Sequence, residues 1–103
     1  MLVEFINKDL EELYKTGHSR KYRQVQQDTV KKMPRVVKML EQAERIQNLW
    51  NYKSLNFEGL QGTDRFSVRV DIRWRLEMKI EWTDKDCTIG IIGLTDLTNH
   101  YRR

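Results

Sequence analysis

The sequence predicts an α+β fold: an N-terminal strand and two helices, then a three-strand antiparallel meander, with the helices covering one face of a single sheet. Three observations predict it. Apolar and polar residues alternate almost without a miss through "RFSVRVDIRWRLEMKIEW", Arg65 to Trp82, the period-two signature of strands with one buried face. Much of the first half instead carries apolar residues at spacings of three and four, the signature of amphipathic helices. The composition is that of a folded chain: 39% hydrophobic and 33% charged, with five glycines and one proline in 103 residues. That length suits one compact core, so residues 1–103 are expected to form a single domain.

The elements follow in order. "MLVEFI" reads as a strand over residues 1–6. Asn7 is a candidate N-cap for a first helix carrying Leu10, Leu13 and Tyr14, with Gly17 as its stop. The polar, basic connector "TGHSRKYR" places His18 in a solvated loop. From Gln24 to about Trp50 the stripe of Val30, Met33, Val37, Leu40, Ala43, Ile46 and Trp50 predicts a long second helix, in which Pro34 marks a kink or a fresh start. "NYKSLNFEGLQGTD" reads as a loop anchored by Leu55, Phe57 and Leu60.

In the hairpin, residues 65–71 and 73–82, Phe66, Val68 and Val70 share the apolar face with Trp74, Leu76, Met78, Ile80 and Trp82. Ser67, Arg69 and Asp71 fall on the other, with Arg73, Arg75, Glu77, Lys79 and Glu81. The three tryptophans are expected in core or hairpin packing. "TDKD" turns the chain into a last strand over residues 87–97, starting at Cys87, where Gly90 and Gly93 mark a bulge or a close approach.

Lys and Arg total 19 against 15 Asp and Glu, a formal charge of +4, which leans weakly toward polyanions. One cysteine cannot form an internal disulfide and fits a reducing compartment. "MLVEFINKDL" has no basic start or long apolar core, so no signal peptide is expected, and no apolar run approaches the roughly 20 residues of a membrane span. The expected location is the cytoplasm, with no membrane partner. His18, His100 and Cys87 give no zinc-ligand spacing, no Gly-rich loop has a phosphate-binding pattern, and no paired nucleophile and base is specified. Neither a metal nor a cofactor is expected.

Two readings of the polar sheet face stand. Arg69 and Arg75 lie on neighbouring strands of the same face, and the fixed, forked charge of arginine matches phosphate oxygens two at a time. The terminal "NHYRR" adds an imidazole at His100, a ring at Tyr101 and the cations Arg102 and Arg103, suited to proton exchange, base stacking and phosphate contact. Alternatively, the arginines only pair with Asp71, Glu77 and Glu81 on a solvated sheet, and by composition and spacing alone this plainer reading is the stronger.

"FSVRVDIRWRLEMKIEW" resembles, without a gap, the tryptophan-serine-isoleucine-arginine-isoleucine-asparagine stretch and following aromatic-arginine-isoleucine of HigB toxins. These belong to the RelE/ParE superfamily of type II toxin-antitoxin systems. Phe66 takes the tryptophan place, Val68 and Val70 replace isoleucines, Asp71 replaces the asparagine, and Ser67, Arg69 and Arg75 match outright. "LQG" is similar to the family's leucine-lysine-glycine ahead of this strand, and "LTNHY" to its C-terminal aspartate-tyrosine-histidine. The likeness covers about the last half of the chain; the first half matches in layout.

The resemblance implies a RelE-like fold and a ribosome-dependent, metal-independent messenger RNA endoribonuclease that inhibits translation. It implies as partners the ribosome, messenger RNA and a helix-turn-helix HigA-like antitoxin. Carried over by position, Arg69 would hold the scissile phosphate, Arg75 would support it, and His100 would transfer protons. Lys53, Arg65, Arg73, Tyr101 and Arg102 would contact RNA. The chain departs from the family where Asn99 stands in the tyrosine place and Tyr101 follows the histidine, and where the segment between Gly62 and Phe66 is short. Two rival readings are a non-catalytic relative that binds a protein target, as the gyrase-targeting branch does, and an inert scaffold. Because both arginines leave the apolar face, truncating either is expected to leave the fold intact.

Overall fold

The first helix begins where the sequence offers a cap. In a computed structural model, which describes residues 1–99, Asn7 is extended and its side-chain oxygen accepts from the Leu10 amide at 3.1 Å, opening α1 (Lys8–Thr16) behind strand β1 (Leu2–Phe5). Gly17, at φ +86°, closes α1 by donating its amide to the Leu13 carbonyl at 2.8 Å. A side chain there would be strained, so glycine is the residue that permits this exit.

The long helix of the sequence reading is two helices. α2 (Gln27–Gln42) runs through Pro34 without ending, and α3 (Ile46–Asn51) is separate. Pro34 is exposed, and its missing amide does not end the helix. The break falls instead at Ala43, whose backbone turns extended (ψ 129°), and the Asn48 side-chain oxygen accepts from the amides of Glu44 and Arg45 at 3.0 and 2.9 Å. A 3-10 turn (Lys53–Leu55) and a two-residue strand, β2 (Glu58–Gly59), lie in the segment expected to be a loop.

The sheet is completed by β3 (Arg65–Arg69), β4 (Arg75–Trp82) and β5 (Gly90–Thr98) in the order β1-β5-β4-β3-β2. β1 lies parallel to β5, while all other neighbours are antiparallel. The register pairs Val68 with Leu76 and Phe66 with Met78, so the alternation read from sequence is the alternation of the sheet. Trp74, Leu76 and Met78 are buried, and they join Leu10, Leu13, Met33, Leu40, Ile92 and Leu94 in the core between helices and sheet. Trp82 is half-buried against Phe66, whereas Trp50 is exposed and meets Phe57 edge-on at 4.6 Å, outside the core position expected for it.

The expected α+β architecture is therefore present, with five strands in place of four and three helices in place of two. The irregularity in β5 is not at its glycines: the register shifts at Glu77/Met78 of β4, opposite Asp96 and Leu94, leaving Thr95 as the extra residue. Gly90 marks a close approach, since a β-carbon there would lie 2.6 Å from the Glu81 carbonyl oxygen. Cys87 precedes the strand rather than starting it. It is exposed at φ +57° in a turn closed by the Asp84 carboxylate, which accepts from the amides of Thr88 and Ile89 and from the Thr88 hydroxyl. Among the described residues no helix is long and apolar enough to cross a membrane.

Candidate nucleic-acid interface

The face of the hairpin turned away from the helices carries the row Arg69–Arg75–Thr98, with Arg69 and Arg75 directly opposite each other on β3 and β4. Like charges so placed oppose each other unless one is satisfied elsewhere. Arg75 is: it is buried to 7% exposure, its Nε donates to Ser67 Oγ at 2.9 Å, and its Nη2 donates to the Asn56 carbonyl at 2.5 Å and the Ser67 carbonyl at 3.2 Å. The Glu58 carboxylate lies 3.8 Å from the same nitrogen. Asn56, in the left-handed region at φ 46°, ends the 3-10 turn and presents its carbonyl to this guanidinium. Alternation fixed the side of the sheet on which Arg75 lies, but there its guanidinium reaches across β3 to Ser67 and the Asn56 carbonyl and is buried, against the expectation that its truncation leaves the fold untouched.

Arg69 ends β3 exposed, and the next turn places Arg73 beside it. The two line an open depression of about 460 Å³ with Gln26, Asp28, Thr29 and Lys32 from the start of α2 and Asp71 and Ile72 from the turn. Among the described residues neither Arg69 nor Arg73 is in an ion pair. Ile72 is 87% exposed at the rim. The turn that carries Arg73 is held by Asp71, whose Oδ1 accepts from the amides of Arg73 and Trp74 at 2.9 Å each and whose Oδ2 accepts from the Thr29 hydroxyl at 2.5 Å. Partial burial pushes the Asp71 carboxyl up. The hydrogen bonds from Thr29, Arg73 and Trp74, with the charge of Lys32, outweigh that and hold it below the usual aspartate value. Asp71 is therefore an ionised clasp between turn and helix, which sequence alternation described only as a polar-face residue.

The remaining basic residues named from sequence lie elsewhere. Arg65 starts β3, half-buried, with Glu77 at 3.9 Å, and Lys53 is exposed at the start of the 3-10 turn; neither lines the depression. Arg65–Glu77, together with Lys79–Asp64 at 3.8 Å, realises the ion-pair reading for that end of the sheet. His100, Tyr101 and Arg102 lie outside the described residues. Thr29 and Lys32 escaped the sequence reading because they belong to α2, and only tertiary packing brings that helix to the turn. The sole available signal was Lys32 falling between the apolar positions of the stripe.

Near the end of β5 a second polar cluster fixes the sheet to the connector after α1. The Tyr22 hydroxyl donates to Asp96 Oδ1 at 2.6 Å and accepts from Asn7 Nδ2 at 2.8 Å, and Asn7 also donates to the Thr95 carbonyl at 3.0 Å. Burial, then the hydrogen bond and charge of Asp96, push the Tyr22 phenol far above its usual range, so it stays a donor at any physiological pH. The bulge at Thr95 lies directly before Asp96.

The fold has a solved counterpart. The fold resembles that of a bacterial toxin. A YoeB/ParE toxin from Agrobacterium tumefaciens superposes with a TM-score of 0.53 over 98% of this chain and 100% of its own, at 12% identity. At that identity the likeness is one of fold. No family model matches the sequence, and no curated protein does.

Proposed function

We propose that the chain is the toxin of a type II toxin-antitoxin system, of the HigB kind, and that it cleaves messenger RNA on the ribosome without a metal. The observation that carries this reading is the exposed pair Arg69 and Arg73, outside any ion pair among the described residues and lining one open depression, with the Arg73 backbone held by Asp71. The toxin-like fold and the match of Ser67, Arg69 and Arg75 to the HigB pattern support it.

In the reaction, the 2′-hydroxyl oxygen of one nucleotide attacks the adjacent phosphorus, its proton passes to a base, and the bond to the 5′-oxygen breaks as that oxygen takes up a proton. A cyclic phosphate and a 5′-hydroxyl result. Negative charge grows on the non-bridging oxygens, and in this reading Arg69 stabilises it while Arg73 and Lys32, which line the same depression, hold the flanking backbone. Arg75 acts from beneath, through Ser67 and Asn56, by holding β3 and its neighbours in register. His100 is assigned the proton transfers on the resemblance. The partners are the ribosome, its message and a HigA-like antitoxin, and the setting is the cytoplasm.

Inducible expression in a bacterium, followed by mapping of messenger RNA ends, tests the proposal. New ends within translated messages are expected. Growth arrest with intact messages would instead favour the gyrase-type protein-binding reading, and normal growth with soluble protein would favour the inert scaffold.

A further inference from the structure

The connector between α1 and α2 holds the second basic cluster of the molecule. Within Gly17–Val25, Arg20, Lys21 and Arg23 are all exposed, and among the described residues none has a carboxylate partner. Arg20 and Arg23 line a cavity of about 440 Å³ with His18, Ser19 and Gln27, and Leu13 and Val25 supply apolar wall. Glu12 also lines it, a single carboxylate against two guanidinium groups. Ser19 is 8% exposed, and its hydroxyl, though buried, has no hydrogen-bond partner among the described residues. That oxygen has no open surface, so the contacts the cavity offers an anion come from the two guanidinium groups. This cavity shares no lining residue with the Arg69 depression.

We infer that this cavity is a second phosphate-binding site, in which Arg20 and Arg23 grip backbone phosphate of RNA. Two forked cations with no ion pair match a phosphodiester, whose oxygens accept and never donate. The connector is rigid enough to present them: the Tyr22 phenol is held by Asp96 and Asn7, and Gln27 Nε2 donates to the Gly17 carbonyl at 2.9 Å. The site would anchor RNA at a distance from the reacting phosphate, which is where uniform binding energy and register come from. The inference rests on the RNA-binding half of the proposed function and not on cleavage.

The test is filter binding of a 2′-O-methylated RNA oligonucleotide, which lacks the attacking hydroxyl, to the full chain across a salt series. Arg20→Gln with Arg23→Gln is expected to weaken binding about 10-fold and to lower the slope of log affinity against log salt by about 1.4, near 0.7 for each phosphate no longer neutralised. Lys31→Gln with Lys38→Gln, which removes the same charge from the exposed face of α2, is expected to change affinity less than about twofold. Equal losses in the two charge-removing pairs would show diffuse attraction only and overturn the site. So would a nucleoside monophosphate bound more tightly than the oligonucleotide. Failure of the chain to cut messages on ribosomes would leave the binding result standing, so the two readings fail separately.

Discussion

Arg69 and Arg75 face each other across one hairpin, on one side of one sheet, yet they do opposite work. Arg75 is enclosed, its guanidinium held by the Ser67 hydroxyl and carbonyl and by the Asn56 carbonyl. Arg69 is exposed at the strand end, beside Arg73 and Lys32, and in no ion pair among the described residues. The difference comes from what each can reach. Arg75 extends across β3 to Asn56 at the end of the 3-10 turn and toward Glu58 of β2, whereas the Asp71 clasp ties the Arg69 end to the open start of α2. Identical side chains at paired positions thus become enclosed framework and open surface, and a motif match cannot tell them apart.

The contrast breaks first at Arg75. Arg75→Ala strands the Asn56 and Ser67 acceptors and is expected to cost about 3 kcal/mol, since hydrogen bonds to a charged group are worth roughly 1.5–3 kcal/mol each and are not additive. Thermal unfolding should fall by on the order of 15 °C, and Arg75→Lys, which cannot reproduce the fork, should recover only part of it. A variant melting like the parent would erase the distinction between the two arginines.

The Asp71 clasp comes next. Asp71→Asn keeps an acceptor for the Arg73 and Trp74 amides but loses the charge, at an expected cost of about 1 kcal/mol near neutral pH. Because the folded carboxyl lies below its ordinary 3.8, its contribution is present above that value and is lost as pH falls through the folded one. The gap in melting temperature between parent and variant should therefore close on acidification below about pH 4. Asp84, also held below its usual range by its hydrogen bonds from Thr88 and Ile89, titrates in both proteins and cancels from the difference. A gap that widened toward low pH would contradict an ionised clasp. The smallest stability effect belongs to Arg69→Ala, expected within about 0.5 kcal/mol of the parent because the side chain is exposed.

Much of this contrast's scaffold was legible from sequence. Asn7 and Gly17 announced the ends of α1 because capping is local chemistry, and the alternation from Phe66 to Trp82 placed Trp74, Leu76 and Met78 inward because the pleat has a fixed period. The helix break was misplaced because proline is a local signal, whereas the break at Ala43 depends on Asn48 reaching back to Glu44 and Arg45. β2 is two residues long and pairs only through Glu58 with Ser67 and Gly59 with Phe66, too short to carry a periodic pattern. Its absence from the sequence reading is also why Arg75 was expected in the open. Thr29 and Lys32 joined the site through packing between elements about 40 residues apart, which periodicity does not report.

Single-turnover cleavage of messenger RNA on programmed ribosomes by Arg69→Ala, measured beside its melting curve, tests the central claim most directly. A cation stabilising charge on the transferring phosphate should slow cleavage by about 100-fold or more when removed, with the melting temperature unchanged. A folded Arg69→Ala protein that cuts at the parental rate would contradict the assignment of the exposed arginine to the phosphate.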